Sequence, residues 1–150
     1  MNRNAKLAAI AALMVLAPAN APASALAPTG SLSITVDGLR SARGMIRVCV
    51  TANPRAFPDC SRDAAARTAS IAAANGAVLD FQHLVPGRYA VSLLHDENAN
   101  GKVDKFLMIP TEGYGFSRNA SVRFGPPSFS AAAVEIGASA LRTRIRVRYM

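Results

Sequence analysis

The stretch that decides the fold is "PGRYAVSLLHD", Pro86 to Asp96. A Pro-Gly turn opens it. From Arg88 to His95 the pattern then runs with a period of two rather than 3.6. Tyr89, Val91 and Leu93 share one face, and Ala90, Ser92 and Leu94 share the other. Both faces are fairly apolar, which predicts a central strand covered on both sides.

Working outward, the same period recurs. "SLSITVDGL" sets Leu32, Ile34 and Val36 against Ser33, Thr35 and Asp37, and "GMIRVCV" sets Ile46, Val48 and Val50 against Arg47 and Cys49. Val78 to Phe81 reads as a short strand, and another is expected around Ser130 to Ile136. The last alternates Leu141, Thr143, Ile145 and Val147 with Arg142, Arg144, Arg146 and Arg148. Gly and Pro punctuate these runs at Asp37-Gly38, Pro54, Pro58, Asn75-Gly76, Pro86-Gly87 and Gly125-Pro126-Pro127. Between Asp63 and Ala74 the alanines allow a short helix around Arg62 to Arg67. Thr68 to Ala73 then reads as a strand leading into an Asn75-Gly76 hairpin turn. About seven short strands at this spacing predict an all-β antiparallel sandwich, immunoglobulin-like or transthyretin-like. Lys105 to Pro127 lacks alternation and is expected to be an ordered excursion at one end of the sandwich. Such long loops tend to carry function.

The chain has 150 residues, 17 Lys and Arg against 9 Asp and Glu, and a formal net charge of +8. Its beginning reads as an export signal: basic "MNRNAK", the apolar run Leu7 to Ala17, then the small residues Ala23 to Ala25. Residues 1–25 are therefore expected to be a cleaved signal peptide, leaving 26–150 as one domain. The apolar run is too short to span a bilayer, and no second one follows, so no transmembrane segment is expected. The location implied is periplasmic or secreted. In such an oxidising compartment the only two cysteines, Cys49 and Cys60, are expected to form a disulfide across "VTANPRAFPD". Closing that loop is worth roughly 3 kcal/mol by chain entropy.

Beyond the central strand lies "HDENANGKVD". Counted from Asp96, Asn98 and Asn100 fall at positions 3 and 5, Gly101 at 6, Lys102 at 7 and Asp104 at 9. This is the first three-quarters of a calcium loop. Side-chain oxygens at 1, 3 and 5 converge when the backbone curls, the glycine permits the turn, and the Lys102 carbonyl points inward. Position 12 departs from the pattern: it is Leu107, where a bidentate Glu is needed. Glu112 is the candidate substitute, and the small number of carboxylates predicts affinity on the order of 10⁻⁴ to 10⁻³ M. The same Asp and Asn spacing also makes chained Asx turns without metal.

Other chemistry is thin. His95 with Asp96 or Asp104 would have to be exposed beside an activated water or nucleophile to serve a small hydrolase. Ser117 has no nucleophile elbow, and no zinc spacing exists. The stripe Arg142, Arg144, Arg146 and Arg148 suits an anionic polysaccharide or membrane surface, or simply keeps a strand soluble. Nucleic acid is not expected, because no aromatic residues interleave the basic ones.

Phe81 to Ala120, "FQHLVPGRYAVSLLHDENANGKVDKFLMIPTEGYGFSRNA", resembles the hallmark segment of a bacterial family of exported proteins catalogued as the domain of unknown function DUF2141. The likeness lies in "F-x-x-L-x-P-G-x-Y-A", "H-D-x-N-x-N-G-x-x-D" and "P-x-E-G-Y-G-F-S-x-N" taken together. It implies a small secreted transthyretin-like sandwich and no established activity. It also groups His95, the Asp96 loop, Glu112, Tyr114, Phe116, Ser117 and Asn119 into one shared motif.

The resulting expectation is a non-enzymatic exported module. Asp96, Asn98, Asn100, Lys102, Asp104 and Glu112 would hold calcium. His95, Tyr114, Phe116, Ser117 and Asn119 would form a surface for an envelope protein or glycan.

Overall fold

The computed structural model describes residues 27–106 and 109–150. The expected signal peptide, 1–25, and Leu107 at the twelfth loop position lie outside the described residues. Among the described residues ten strands run in chain order: β1 (Gly30–Asp37), β2 (Met45–Thr51), β3 (Arg67–Ala72), β4 (Val78–Leu84), β5 (Gly87–Asp96), β6 (Lys105–Phe106), β7 (Ile109–Pro110), β8 (Gly113–Phe116), β9 (Val134–Ile136) and β10 (Ala140–Arg146). A short helix, α1 (Phe129–Ala132), and a 3-10 turn at Ser117–Asn119 complete them.

Two sheets face each other. One has the order β10-β1-β4; the other runs β3-β2-β5-β8, with β9 also pairing β5. Strand β5 is central, as its two apolar faces require. Its inner face, Val91 and Leu93, packs with Ile46, Val48 and Val50 of β2 against Leu32, Ile34, Val36, Leu79, Phe81, Ile145 and Val147. Its outer face is covered too. Ala90, Phe116 and Ala132 form a second buried cluster with Phe57, Tyr114 and Phe129 packed on it. The Cys49–Cys60 disulfide pins the 51–59 loop over this face, and Ser92 Oγ donates to the Pro58 carbonyl there.

The sandwich departs from expectation in five places. The β1–β10 ladder is parallel, from Ser31↔Ala140 to Asp37↔Arg146, while the other pairings are antiparallel. The Asn75-Gly76 turn is not a hairpin within one sheet, because it carries the chain from β3 in one sheet to β4 in the other. Asn75 holds the crossing by donating to Leu39 O and accepting from Leu39 N–H. The helix around Arg62 to Arg67 does not form. Asp63 instead accepts from Ala65 N–H and from Thr51 Oγ, which fixes a turn, and β3 claims Arg67. The strand around Ser130 to Ile136 starts only at Val134, because Ser128 caps α1 by accepting from Ala131 N–H. The Lys105–Pro127 excursion contains the β6–β7 ladder and β8, which joins the large sheet through Ser92↔Phe116 to His95↔Gly113.

Strand β8 also closes one side of the sandwich. Tyr114 and Arg148 exchange backbone hydrogen bonds at 2.9 and 2.8 Å. A Cβ on Gly113 would lie 2.5 Å from Tyr149 and Val147, and one on Gly115 2.6 Å from Ile145. Only glycine lets the two segments meet so closely.

Candidate functional site

Strand β5 ends at Asp96, and the loop that follows is built on that carboxylate. Asp96 is fully buried. Its Oδ2 accepts from Arg47 Nε at 2.6 Å and from Gly101 N–H at 2.8 Å; its Oδ1 accepts from Asn100 N–H at 3.0 Å. Asn98 Oδ1 accepts from the same Asn100 N–H, and Asn100 Oδ1 from Lys102 N–H. This is a chain of Asx turns. Gly101, at φ +78°, supplies the left-handed turn at its centre. The amide groups of Asn98 and Asn100 both donate to Asp104. Lys102 sits exposed on the rim.

Glu112 does return to this loop. It is only 4% exposed. Its Oε1 accepts from Glu97 N–H at 3.1 Å and its Oε2 from Asp104 N–H at 3.2 Å. One carboxylate thus bridges the second and ninth positions of the loop. Thr111 N–H, bonded to Asp104 O at 2.9 Å, holds the same return. Burial pushes the Glu112 carboxyl above its ordinary value. The Asp104 N–H works against that rise, and the neighbouring Asp96 and Asp104 charges add to it. Burial also acts to raise Asp96, but the bonds from Arg47, Gly101 and Asn100 outweigh it and hold that carboxyl low.

A second ionic layer lies alongside. Glu97 binds the Arg40 guanidinium and accepts from Ser41 Oγ at 2.7 Å, with Arg43 at 3.8 Å. Arg40 above all holds the Glu97 carboxyl down, to about 2. Arg40, Arg43, Glu97, Asn98, Asp104, Thr111 and Glu112 line an open polar cleft of about 240 Å³.

The loop residues and Glu112 therefore meet, whereas much of the expected binding surface lies inside the protein. His95 is fully buried, on the inner face of β5. Its Nε2–H donates to Arg43 O at 2.8 Å, and its Nδ1 accepts from the Tyr149 hydroxyl at 2.6 Å. A carbonyl can only accept, which fixes this tautomer. A hydrolase centred on His95 would need that ring exposed, and here it is buried. Ser117 is buried, bonded to Val91 N–H and Ala132 O. Phe116 is in the second core, and Tyr114 is half-buried beside it. Asn119 is exposed, but its amide pairs with Arg144 O and Arg146 N–H, capping the β10 edge as a strand would. Packing places these four residues.

Reading the chain in one dimension missed Arg47, Arg40 and Tyr149. Each acts across 49 to 109 positions. The one available signal was Arg47, the lone charge in an otherwise apolar β2.

The family described as "Uncharacterized protein conserved in bacteria (DUF2141)" has a model that matches residues 34–144. The chain belongs to DUF2141. The matched DUF2141 span takes in Arg40, Arg47, the whole Asp96 loop, Glu112 and the β8 motif, so both ionic layers lie within it. No curated protein and no solved structure matches this DUF2141 chain.

Calcium, expected from the loop spacing, takes several oxygen donors converging on one position. Among the described residues, no three Asp, Glu, His or Cys groups are gathered on one metal position, and no buried polar side-chain atom lacks a partner. The loop does carry oxygens of the kind a hard cation takes. Asp96 Oδ1, Asn98 Oδ1, Asn100 Oδ1, Asp104 Oδ1 and both Glu112 oxygens each accept a single hydrogen bond. Each retains a lone pair.

Proposed function

We propose that this DUF2141 protein is an exported, non-enzymatic β-sandwich module of the bacterial envelope or exterior. In this reading its Asp96–Asp104 loop, closed by Glu112, takes calcium. The observation that carries the reading is the return of the Glu112 carboxylate to the loop, onto the N–H groups of Glu97 and Asp104. Three carboxylates, Asp96, Asp104 and Glu112, are held in one short segment, and Arg47 pairs with Asp96 alone among them. A divalent ion relieves the remaining repulsion, which is the charge chemistry it would supply. Asp96, Asn98, Asn100, Lys102, Asp104 and Glu112 would hold it, Lys102 through its carbonyl. The bound loop stiffens the return through Thr111 into β8 and the polar cleft beside it. That cleft, with Arg40, Arg43 and Thr111 on its walls, is where an envelope protein or glycan meets the chain.

Thermal melting in millimolar calcium and in chelator tests this reading. At a few-fold above the dissociation constant, mass action stabilises by about 1 kcal/mol, a rise of a few degrees in Tm. Glu112→Gln abolishes the difference between calcium and chelator, whatever it does to the absolute Tm. Equal melting of the parent in both buffers contradicts the reading.

A further inference from the structure

The other sheet carries a separate feature that the calcium reading does not use. Arg142, Arg144, Arg146 and Arg148 all project outward from β10 and its continuation, and all are exposed. Arg144 is bonded to Asp37 at 2.7 Å. No carboxylate lies within ion-pair distance of the other three among the described residues. By strand register Asp37, already paired with Arg144, is level with Arg146 on the neighbouring strand, and the next acid across the face is Asp80, level with Arg142 through Ser33. Two strand spacings put it about 10 Å away. Ser31, Ser33, Thr35 and Asp37 fill the row between, so the face is polar and carries net positive charge.

One end of this face holds apolar groups. Val122 lines a shallow groove with Arg146 and Arg148. Two residues further along the same loop, Phe124 is fully exposed beside exposed Arg123, and Met150 is exposed at the chain end past Arg148. A bare phenylalanine outside any groove has no use for water or for a soluble polyanion. It suits the boundary between headgroups and acyl chains, where basic residues beside it meet anionic lipid.

We propose that this face docks on an anionic phospholipid surface, with Phe124 inserted at the interface and Arg142, Arg146 and Arg148 against the headgroups. Neither signal alone holds a protein to a bilayer; an apolar insertion joined to a basic patch does. The proposal is independent of calcium at Asp96, and its failure leaves that reading untouched.

Co-sedimentation tests it. The full chain is expressed in a bacterial host, purified in the form the host leaves, and compared with its variants in that same form. Vesicles of phosphatidylcholine alone, and of phosphatidylcholine with roughly one-third phosphatidylglycerol, are used at low and at high salt. The protein is expected on the anionic vesicles only, and salt releases it. Arg142→Gln/Arg146→Gln/Arg148→Gln weakens binding on the order of a hundredfold, about fivefold per arginine. Phe124→Ser, at a fully exposed position, weakens it about tenfold and leaves the salt dependence intact. Equal binding to both vesicle types, no binding, or unchanged binding by the triple variant overturns the proposal. Binding to soluble dextran sulfate with no preference for anionic vesicles also overturns it and assigns the face to a soluble polyanion.

Discussion

His95 and Tyr149 form a relay inside the protein: Arg40 N–H to the Tyr149 hydroxyl, that hydroxyl to His95 Nδ1, and Nε2–H to Arg43 O. Every member is satisfied, so removing one orphans another. Tyr149→Phe is expected to cost about 1–3 kcal/mol in chemical denaturation, because buried Nδ1 loses its donor. An unchanged midpoint would show that the relay is ornamental. The position of His95 at the end of the Val91–Leu93 face was legible in sequence. Its partner 54 residues away was not, because no local pattern encodes a contact across the sandwich. Glu97 gives the pH prediction at this scale. Its folded value of about 2 lies below its ordinary 4.5. The Arg40 pair therefore stabilises above the ordinary value, and that contribution is lost as pH falls from about 5 towards 2. Glu112, raised by burial, has the opposite sign and gains on protonation. The melting temperature of Glu97→Gln should fall less steeply over that range than the parent's. Parallel curves would argue against the pairing.

Among the elements, β1, β2, β4, β5 and β10 were readable because alternation of burial is what builds them. Strand β8 was not. "GYGF" presents glycine where alternation calls for an apolar side chain, and the reason lies in another part of the chain. Gly113 and Gly115 leave room for Ile145, Val147 and Tyr149. Gly113→Ala should therefore destabilise by about 1–3 kcal/mol through overpacking. Gly137→Ala, where a Cβ meets nothing within 4 Å, should stay within about 0.5 kcal/mol. Similar midpoints for the two variants would contradict the close-approach account of β8. Helix α1 was misread for a related reason: "SFSAAA" suits strand or helix, and the Ser128 cap decides it.

At the scale of the whole molecule, two opposed sheets support two different chemistries. The large sheet ends in a buried ionic layer around Asp96, Glu112 and Glu97. The small sheet presents a basic outer face. The Asp96 spacing and the Glu112 return were legible because loop chemistry is local and the gap at position 12 asks for a substitute. Arg47, which neutralises Asp96 from the neighbouring strand, entered only with the β2–β5 register. In the calcium reading Glu112 completes a cation loop rather than a set of polar turns alone. A high-resolution crystal structure grown in millimolar calcium, with a chelator-treated crystal beside it, tests this most directly. The expected result is an ion at the loop centre, about 2.3–2.6 Å from oxygens of Asp96, Asn98, Asn100 and Glu112, and absent after chelation. Identical loops in both crystals, with Glu112 bonded only to the Glu97 and Asp104 N–H groups, would contradict it.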